Sequence, residues 1–174
     1  MFYIKELEAM KKANIIRSKQ IYSHHLLDYA SNDYLGLSTH KDLLTLAFEK
    51  LSSYPYHSPI ASQAINGYHP IHQEFEEFLK KYFGFESATL FGSGFLANVA
   101  LFETLVRKGD VIFVDELYHA SGRLPARLLG SQVIFFSHNN VQDLEEKIKT
   151  TPCKNRRLIA IEGVYSMDGD IESK

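Results

Sequence analysis

Apolar residues recur at helical spacing through the first half of the chain and gather into short runs through the second. Over residues 4–17, Ile4, Leu7 and Met10 stand among Lys5, Glu6, Glu8, Lys11 and Lys12, which predicts an amphipathic helix with one wet face. Leu26 to Ala30 predicts a short strand, and Ser31 to Leu37, with Gly36, predicts a turn. A second helix is expected from near His40, carrying Leu43, Leu44, Ala47, Phe48 and Leu51. Ser52 to Asn66, punctuated by Pro55 and Pro59, reads as a loop, and loops of that length are uncommon in compact domains unless functional. From Pro70 to Tyr82, Phe75, Phe78, Leu79 and Tyr82 oppose Glu74, Glu76, Glu77 and Lys80, so a third helix should stop at Gly84.

Beyond Gly84 the pattern alternates. A strand is expected at Ala88 to Phe91, then a glycine turn and a helix over Phe95 to Val106. Strands follow at Val111–Val114, Val133–Phe136 and Leu158–Ile161, separated by helices near Ser121–Leu129 and Val141–Lys149. Continuous β-branched runs between helices indicate strands covered on both faces, so the class is α/β with a mainly parallel sheet and flanking helices. Residues 1–38 form an N-terminal helix and strand segment, and 39–174 the first part of a larger domain.

Composition narrows the function. The 19 Lys and Arg against 21 Asp and Glu leave a net charge of −2, without a like-charge block, which argues against nucleic acid as a partner. The single cysteine, Cys153, admits no intrachain disulfide and fits a reducing compartment. Neither a signal-peptide core nor a run of about 18 apolar residues is present, so a cytoplasmic protein with no membrane partner is expected.

Three segments that follow strands could carry chemistry. In Phe91-Gly92-Ser93-Gly94-Phe95-Leu96-Ala97-Asn98, a glycine turn opens a helix. Free N–H groups there suit a phosphate, although an ordinary tight turn has the same look; it is neither a Walker loop nor GxGxxG. In Asp115-Glu116-Leu117-Tyr118-His119-Ala120-Ser121, His119 falls at the same carboxyl edge, where an imidazole could stack on an aromatic ligand, act as acid or base, or serve only as a turn contact. In Ile161-Glu162-Gly163-Val164-Tyr165-Ser166-Met167-Asp168-Gly169-Asp170, Glu162 and Ser166 could hydrogen-bond a ligand, while Asp168-Gly169-Asp170 reads as a turn and no metal is expected. His69 and His72, split by Pro70, read as capping or solvated histidines.

Taken in order after Ser31-Asn32-Asp33-Tyr34-Leu35-Gly36-Leu37-Ser38, with Asn66-Gly67-Tyr68-His69-Pro70-Ile71-His72 between, these motifs resemble those of the α-oxoamine synthases over essentially the whole chain. Those are pyridoxal-phosphate acyltransferases of the aspartate-aminotransferase fold, which condense an amino acid with an acyl thioester and release CO₂. The resemblance is nearest the biotin-biosynthesis branch, which joins alanine to a pimeloyl thioester carried on coenzyme A or acyl carrier protein. It implies that Gly94 and Phe95 offer N–H groups to the cofactor phosphate, that His119 lies over the pyridine ring and has a catalytic part, and that Ser166 and Glu162 support the ring. It further implies that Asn32 faces the amino-acid carboxylate and Arg17 the acyl substrate, and that the enzyme is a homodimer.

Two departures accompany the resemblance. Ser58 to Gly67 lacks the glycine-rich segment usual there. The lysine that binds the cofactor is expected beyond residue 174, so 39–174 reads as a truncated large domain, inactive alone and poorly soluble through an exposed apolar edge strand. A non-catalytic protein or partner subunit of the same fold is the alternative, as is a relative using glycine or serine. A phosphate- or nucleotide-binding α/β domain that used only the glycine turn would leave the other two motifs without a role.

Overall fold

The protein is described by a computed structural model covering residues 2–23 and 25–171. It divides into two compact units, Met1–Ser58 and Pro59–Lys174.

The first unit holds α1 (Phe2–Lys12) and α2 (Lys41–Ser52). Helix α1 stops five residues before the expected end at residue 17. Asn14 takes a left-handed φ of 53°, its N–H donates to Lys11 O at 3.1 Å, and the Ile15 N–H reaches back to Met10 O at 3.1 Å. That bond pair satisfies the last carbonyls and ends the helix. The expected strand at Leu26–Ala30 does not form, because local bonds take its donors. Ala30 N–H donates to Asp28 Oδ1 at 2.9 Å and Leu26 N–H to Ser23 O at 3.1 Å, a competition with ladders typical of short polar side chains.

The second unit contains α3 (Pro70–Phe83), α4 (Gly94–Leu105), β1 (Val111–Asp115), α5 (Ala120–Leu128), β2 (Val133–Phe136), α6 (Val141–Thr150) and β3 (Arg157–Ala160). His69 caps α3, accepting the Ile71 N–H on Nδ1 at 3.2 Å, while His72 accepts the His69 N–H, so the two histidines are a cap as expected. Gly84, at φ 72°, ends the helix in a conformation that costs a residue with a Cβ more.

Three parallel strands lie in the order β2-β1-β3, with Phe113 paired to Ile134 on one side and Ile159 on the other. Central β1 is buried along its length, which explains its unbroken apolar run. Alternate side chains serve opposite faces. Val111 and Phe113 pack with Phe136, Leu144 and Ile148, whereas Ile112 and Val114 pack with Phe102, Val106, Tyr118 and Ala126. Helices α5 and α6 therefore cover opposite faces, and the winding changes direction between β1 and β3. Ala88 to Phe91, expected as a strand, joins no ladder among the described residues; the Leu90 N–H donates to Glu76 Oε1 of α3 at 2.9 Å.

At the amino edge of the sheet, buried Asp110 accepts from Arg156 Nη2 at 2.7 Å, from Arg156 N–H at 3.0 Å and from Arg107 N–H at 2.9 Å. The Arg156 guanidinium, ahead of the backbone bonds, holds the Asp110 carboxyl down to about 2. This staple closes the edge opposite the strand ends that carry the three motifs.

Candidate cofactor site at the carboxyl edge

Ser93 caps α4 by accepting the Leu96 N–H on its Oγ at 3.2 Å. Among the described residues, the N–H groups of Gly94 and Phe95 have no protein acceptor, and a Cβ added at Gly92 or Gly94 would meet open space. Two free donors at the positive end of a helix, with room in front of them, fit a phosphate group. A depression of about 390 Å³ lies alongside, lined by Phe95, Ala120, Arg123, Leu124 and Arg127.

Helix α5 begins next to α4. Tyr118 leads into it, its ring edge-on to Phe102 at 5.8 Å. An ideal Cβ at Gly122 would fall 2.1 Å from that ring, so only glycine lets the first turn of α5 close over Tyr118. Burial, and secondly the charge of Glu162, pushes the Tyr118 hydroxyl above its ordinary value. His119 is exposed and caps α5: its Nδ1 accepts the Ser121 N–H at 3.2 Å and lies 2.8 Å from Ser121 Oγ. Asn98 Nδ2 donates to the same Oγ at 2.7 Å, which ties the first turns of α4 and α5 together.

Glu162 follows β3 and accepts the His119 N–H on Oε1 at 3.0 Å. This bond spans the loops after β1 and β3, the crevice where the winding reverses and where open α/β sheets hold ligands. Ser166 follows buried Tyr165 in a turn closed by Gly169 N–H to Tyr165 O and Tyr165 N–H to Asp170 O, both at 2.9 Å. Asp168-Gly169-Asp170 is thus the expected turn, with Gly169 at φ 72°.

Behind these residues lies a polar cluster whose role was not read from the sequence. Asp115, fully buried at the end of β1, accepts from His138 Nδ1 at 2.9 Å, from Leu117 N–H at 2.7 Å and from Asn139 N–H at 3.1 Å. Burial pushes its carboxyl up, yet those bonds and one from the Tyr165 hydroxyl hold it below the usual carboxylate value. His138 Nε2 lies 2.7 Å from Asp170 Oδ2, and the ring is held above its ordinary value, mostly by Asp115 and also by Asp170. Asn139 Nδ2 donates to Asp170 at 2.6 Å. Tyr165 also accepts the Glu162 N–H at 3.4 Å, so the cluster reaches the loop that touches His119. His138 alone joins residues 23 and 32 positions away, which no local pattern reveals.

Gly94, Phe95, His119, Glu162 and Ser166 therefore share the carboxyl edge of the second unit. Arg17 and Asn32 belong to the first. Arg17 lies beyond the end of α1 and is exposed, not helical as the resemblance implies. Asn32 accepts from Tyr34 Oη at 3.3 Å, next to Asp33, which receives the Ser38 hydroxyl at 2.5 Å and the Leu37 N–H at 2.8 Å. The Ser38 hydroxyl is the main reason the Asp33 carboxyl falls below its ordinary value.

The chain is similar to the 8-amino-7-oxononanoate synthases of Helicobacter pylori strain ATCC 700392 / 26695 and of Maricaulis maris. The first is 52% identical over 97% of this chain and 45% of the relative; the second is 42% identical over 84% and 37%. The chain thus spans about half the length, or less, of the curated relatives it matches. Among solved structures it resembles a serine palmitoyltransferase from S. paucimobilis with bound PLP and myriocin, at TM-score 0.80 and 25% identity over 98% of this chain and 46% of that one. It also resembles the 8-amino-7-oxononanoate synthase of Francisella tularensis, at TM-score 0.67 and 27% identity over 86% and 41%. The α-oxoamine synthase resemblance and the expected fold are both borne out. Residues 24–174 match the family described as aminotransferase class I and II, and the chain belongs to that family.

Proposed function

We propose that this chain supplies the phosphate cradle and ring support of a pyridoxal-phosphate acyltransferase that condenses L-alanine with a pimeloyl thioester to give 8-amino-7-oxononanoate. The observation that carries the reading is the meeting of the free Gly94 and Phe95 N–H groups with His119, held by Glu162 across the crevice between β1 and β3. The 52% identity to the Helicobacter pylori synthase supports alanine and the pimeloyl thioester over the serine and palmitoyl pair of the structural neighbour's name. When bound, pyridoxal phosphate supplies an electron sink for the carbon that undergoes condensation.

The chain's own residues bind and orient. Gly94 and Phe95 donate to the phosphate, the Ser93 cap keeps their N–H groups aligned, and the His119 ring supports the pyridine face. Glu162 fixes the backbone of His119, and Ser166 offers a hydroxyl to the ring's phenolic oxygen. Asn32 and Arg17 meet the amino-acid carboxylate and the acyl substrate, in the homodimer that the family resemblance implies. The lysine that binds the cofactor covalently is expected in the part of the relatives beyond residue 174.

The test is a titration of the purified chain with pyridoxal phosphate, followed by absorbance, with inorganic phosphate as competitor and borohydride to fix any covalent adduct. Saturable binding that phosphate displaces, with no pyridoxyl group fixed on a lysine, is the expected result. A single lysine of residues 1–174 modified stoichiometrically, or no binding that phosphate can displace, would overturn the reading. With the C-terminal half of the Helicobacter pylori relative added, product from alanine and pimeloyl thioester, assayed by mass, should exceed that from glycine or serine.

A further inference from the structure

We propose that Asn98 and Ser121 are positioning residues that set the tautomer and pitch of the His119 ring, leaving Nδ1 bare and the ring proton on Nε2. The inference rests on the proposed function only for its consequence, since the relay itself is built from this chain's groups.

The direction of every bond in the relay follows from one group whose polarity is fixed. The Ser121 backbone N–H can only donate, and it faces His119 Nδ1 at 3.2 Å, so Nδ1 must present its lone pair. Ser121 Oγ lies 2.8 Å from the same nitrogen and must therefore give it the hydroxyl hydrogen. That leaves Oγ as an acceptor, and Asn98 meets it with its amide nitrogen at 2.7 Å, an orientation with no freedom to turn over. Rotating the imidazole by half a turn would set Cδ2–H against both donors.

Ser121 is 2% exposed, so water does not compete for its hydroxyl, and Asn98 is half-buried. The ring's remaining proton then sits on Nε2, which has no protein partner among the described residues. The site side of His119 thus offers a hydrogen-bond donor instead of a lone pair. It would lend that donor to an acceptor on substrate or cofactor without first losing or gaining a proton.

The experiment uses the 174-residue chain labelled with ¹⁵N-histidine, with no cofactor added, and reads the two ring nitrogens by long-range proton–nitrogen correlation. Its eight histidines require the His119 signal to be assigned by its disappearance in His119→Gln. The wild type should show a pyridine-like Nδ1 and a pyrrole-like Nε2. Ser121→Thr, which keeps the hydroxyl, should leave that pattern in place. Asn98→Asp draws the Ser121 hydroxyl hydrogen to the carboxylate, so Nδ1 keeps only the backbone N–H as donor and its pyridine-like signal should move downfield.

A wild-type Nδ1 that carries the proton would overturn the proposal, a result that needs no variant to fold. An Nδ1 shift unchanged in both Asn98→Asp and Ser121→Ala would overturn it equally. Failure of the pyridoxal-phosphate titration with the wild-type tautomer as described would remove the proposed function and leave the relay standing.

Discussion

Single residues set the site through bonds of fixed direction. Ser93 is the simplest case, since its Oγ accepts the Leu96 N–H and leaves the two preceding N–H groups free. Replacing a serine cap by alanine costs about 1 kcal/mol. Ser93→Ala should therefore lower the urea midpoint by the equivalent of that loss, and weaken pyridoxal-phosphate binding as the first turn of α4 frays. Stability and affinity both equal to the wild type's would refute this role. His119 and Gly94 could be singled out from the sequence because each stands in a short motif just after an apolar run. Asn98, Ser121 and His138 could not, because each acquires its role from a partner that the fold brings in, and asparagine or serine in a helical stretch carries no periodic signal.

Elements were legible where hydrophobic period and length agreed. Helices α3 to α6 and strands β1 to β3 fall close to their apolar runs, while Leu26–Ala30 and Ala88–Phe91 have strand-like composition without a ladder. A short apolar run specifies a strand only when a neighbour supplies the other half of the bonds, and Glu76 is the neighbour that Leu90 finds. The loops after β1, β2 and β3 are joined through His138, whose ring is faced by Asp115, Asp170 and Tyr165 and whose N–H donates to Glu116. Because its folded value is raised, the stabilisation it gives is complete below its ordinary value near 6.5 and is lost as pH rises through the raised one. The urea midpoint of the wild type should fall from pH 6 through 9. His138→Gln should begin lower and stay level; parallel curves for the two proteins would rule this out.

At the scale of the molecule, apolar surface exceeds what the fold covers. Helix α4 is mostly apolar, with Asn98, Glu103 and Thr104 its polar side chains, yet only Phe102 is buried, and Leu101, Leu105, Ile159 and Ile161 are 42–51% exposed around a cleft of about 220 Å³. A helix so largely apolar ordinarily has most of its surface covered. Light scattering of the 174-residue chain should show mass rising with concentration, and Ile159→Lys together with Leu105→Glu should hold it at 19.9 kDa. A single species at every concentration would refute the expectation. No helix among the described residues is long and apolar enough to cross a membrane.

The cluster around Asp115 also carries a kinetic consequence. Leu117 and Asn139 give their N–H groups to one carboxylate, and Glu162 gives its own to the tyrosine that bonds the same group. Three loops thus depend on one buried anion, and none can lift away without stripping it of donors. Their amide protons should trade with deuterated solvent at one shared rate, as a single opening event, while the exposed turn at Ser166 and Met167 exchanges freely. The edge that faces the ligand would then breathe as one unit, slowly, and all at once.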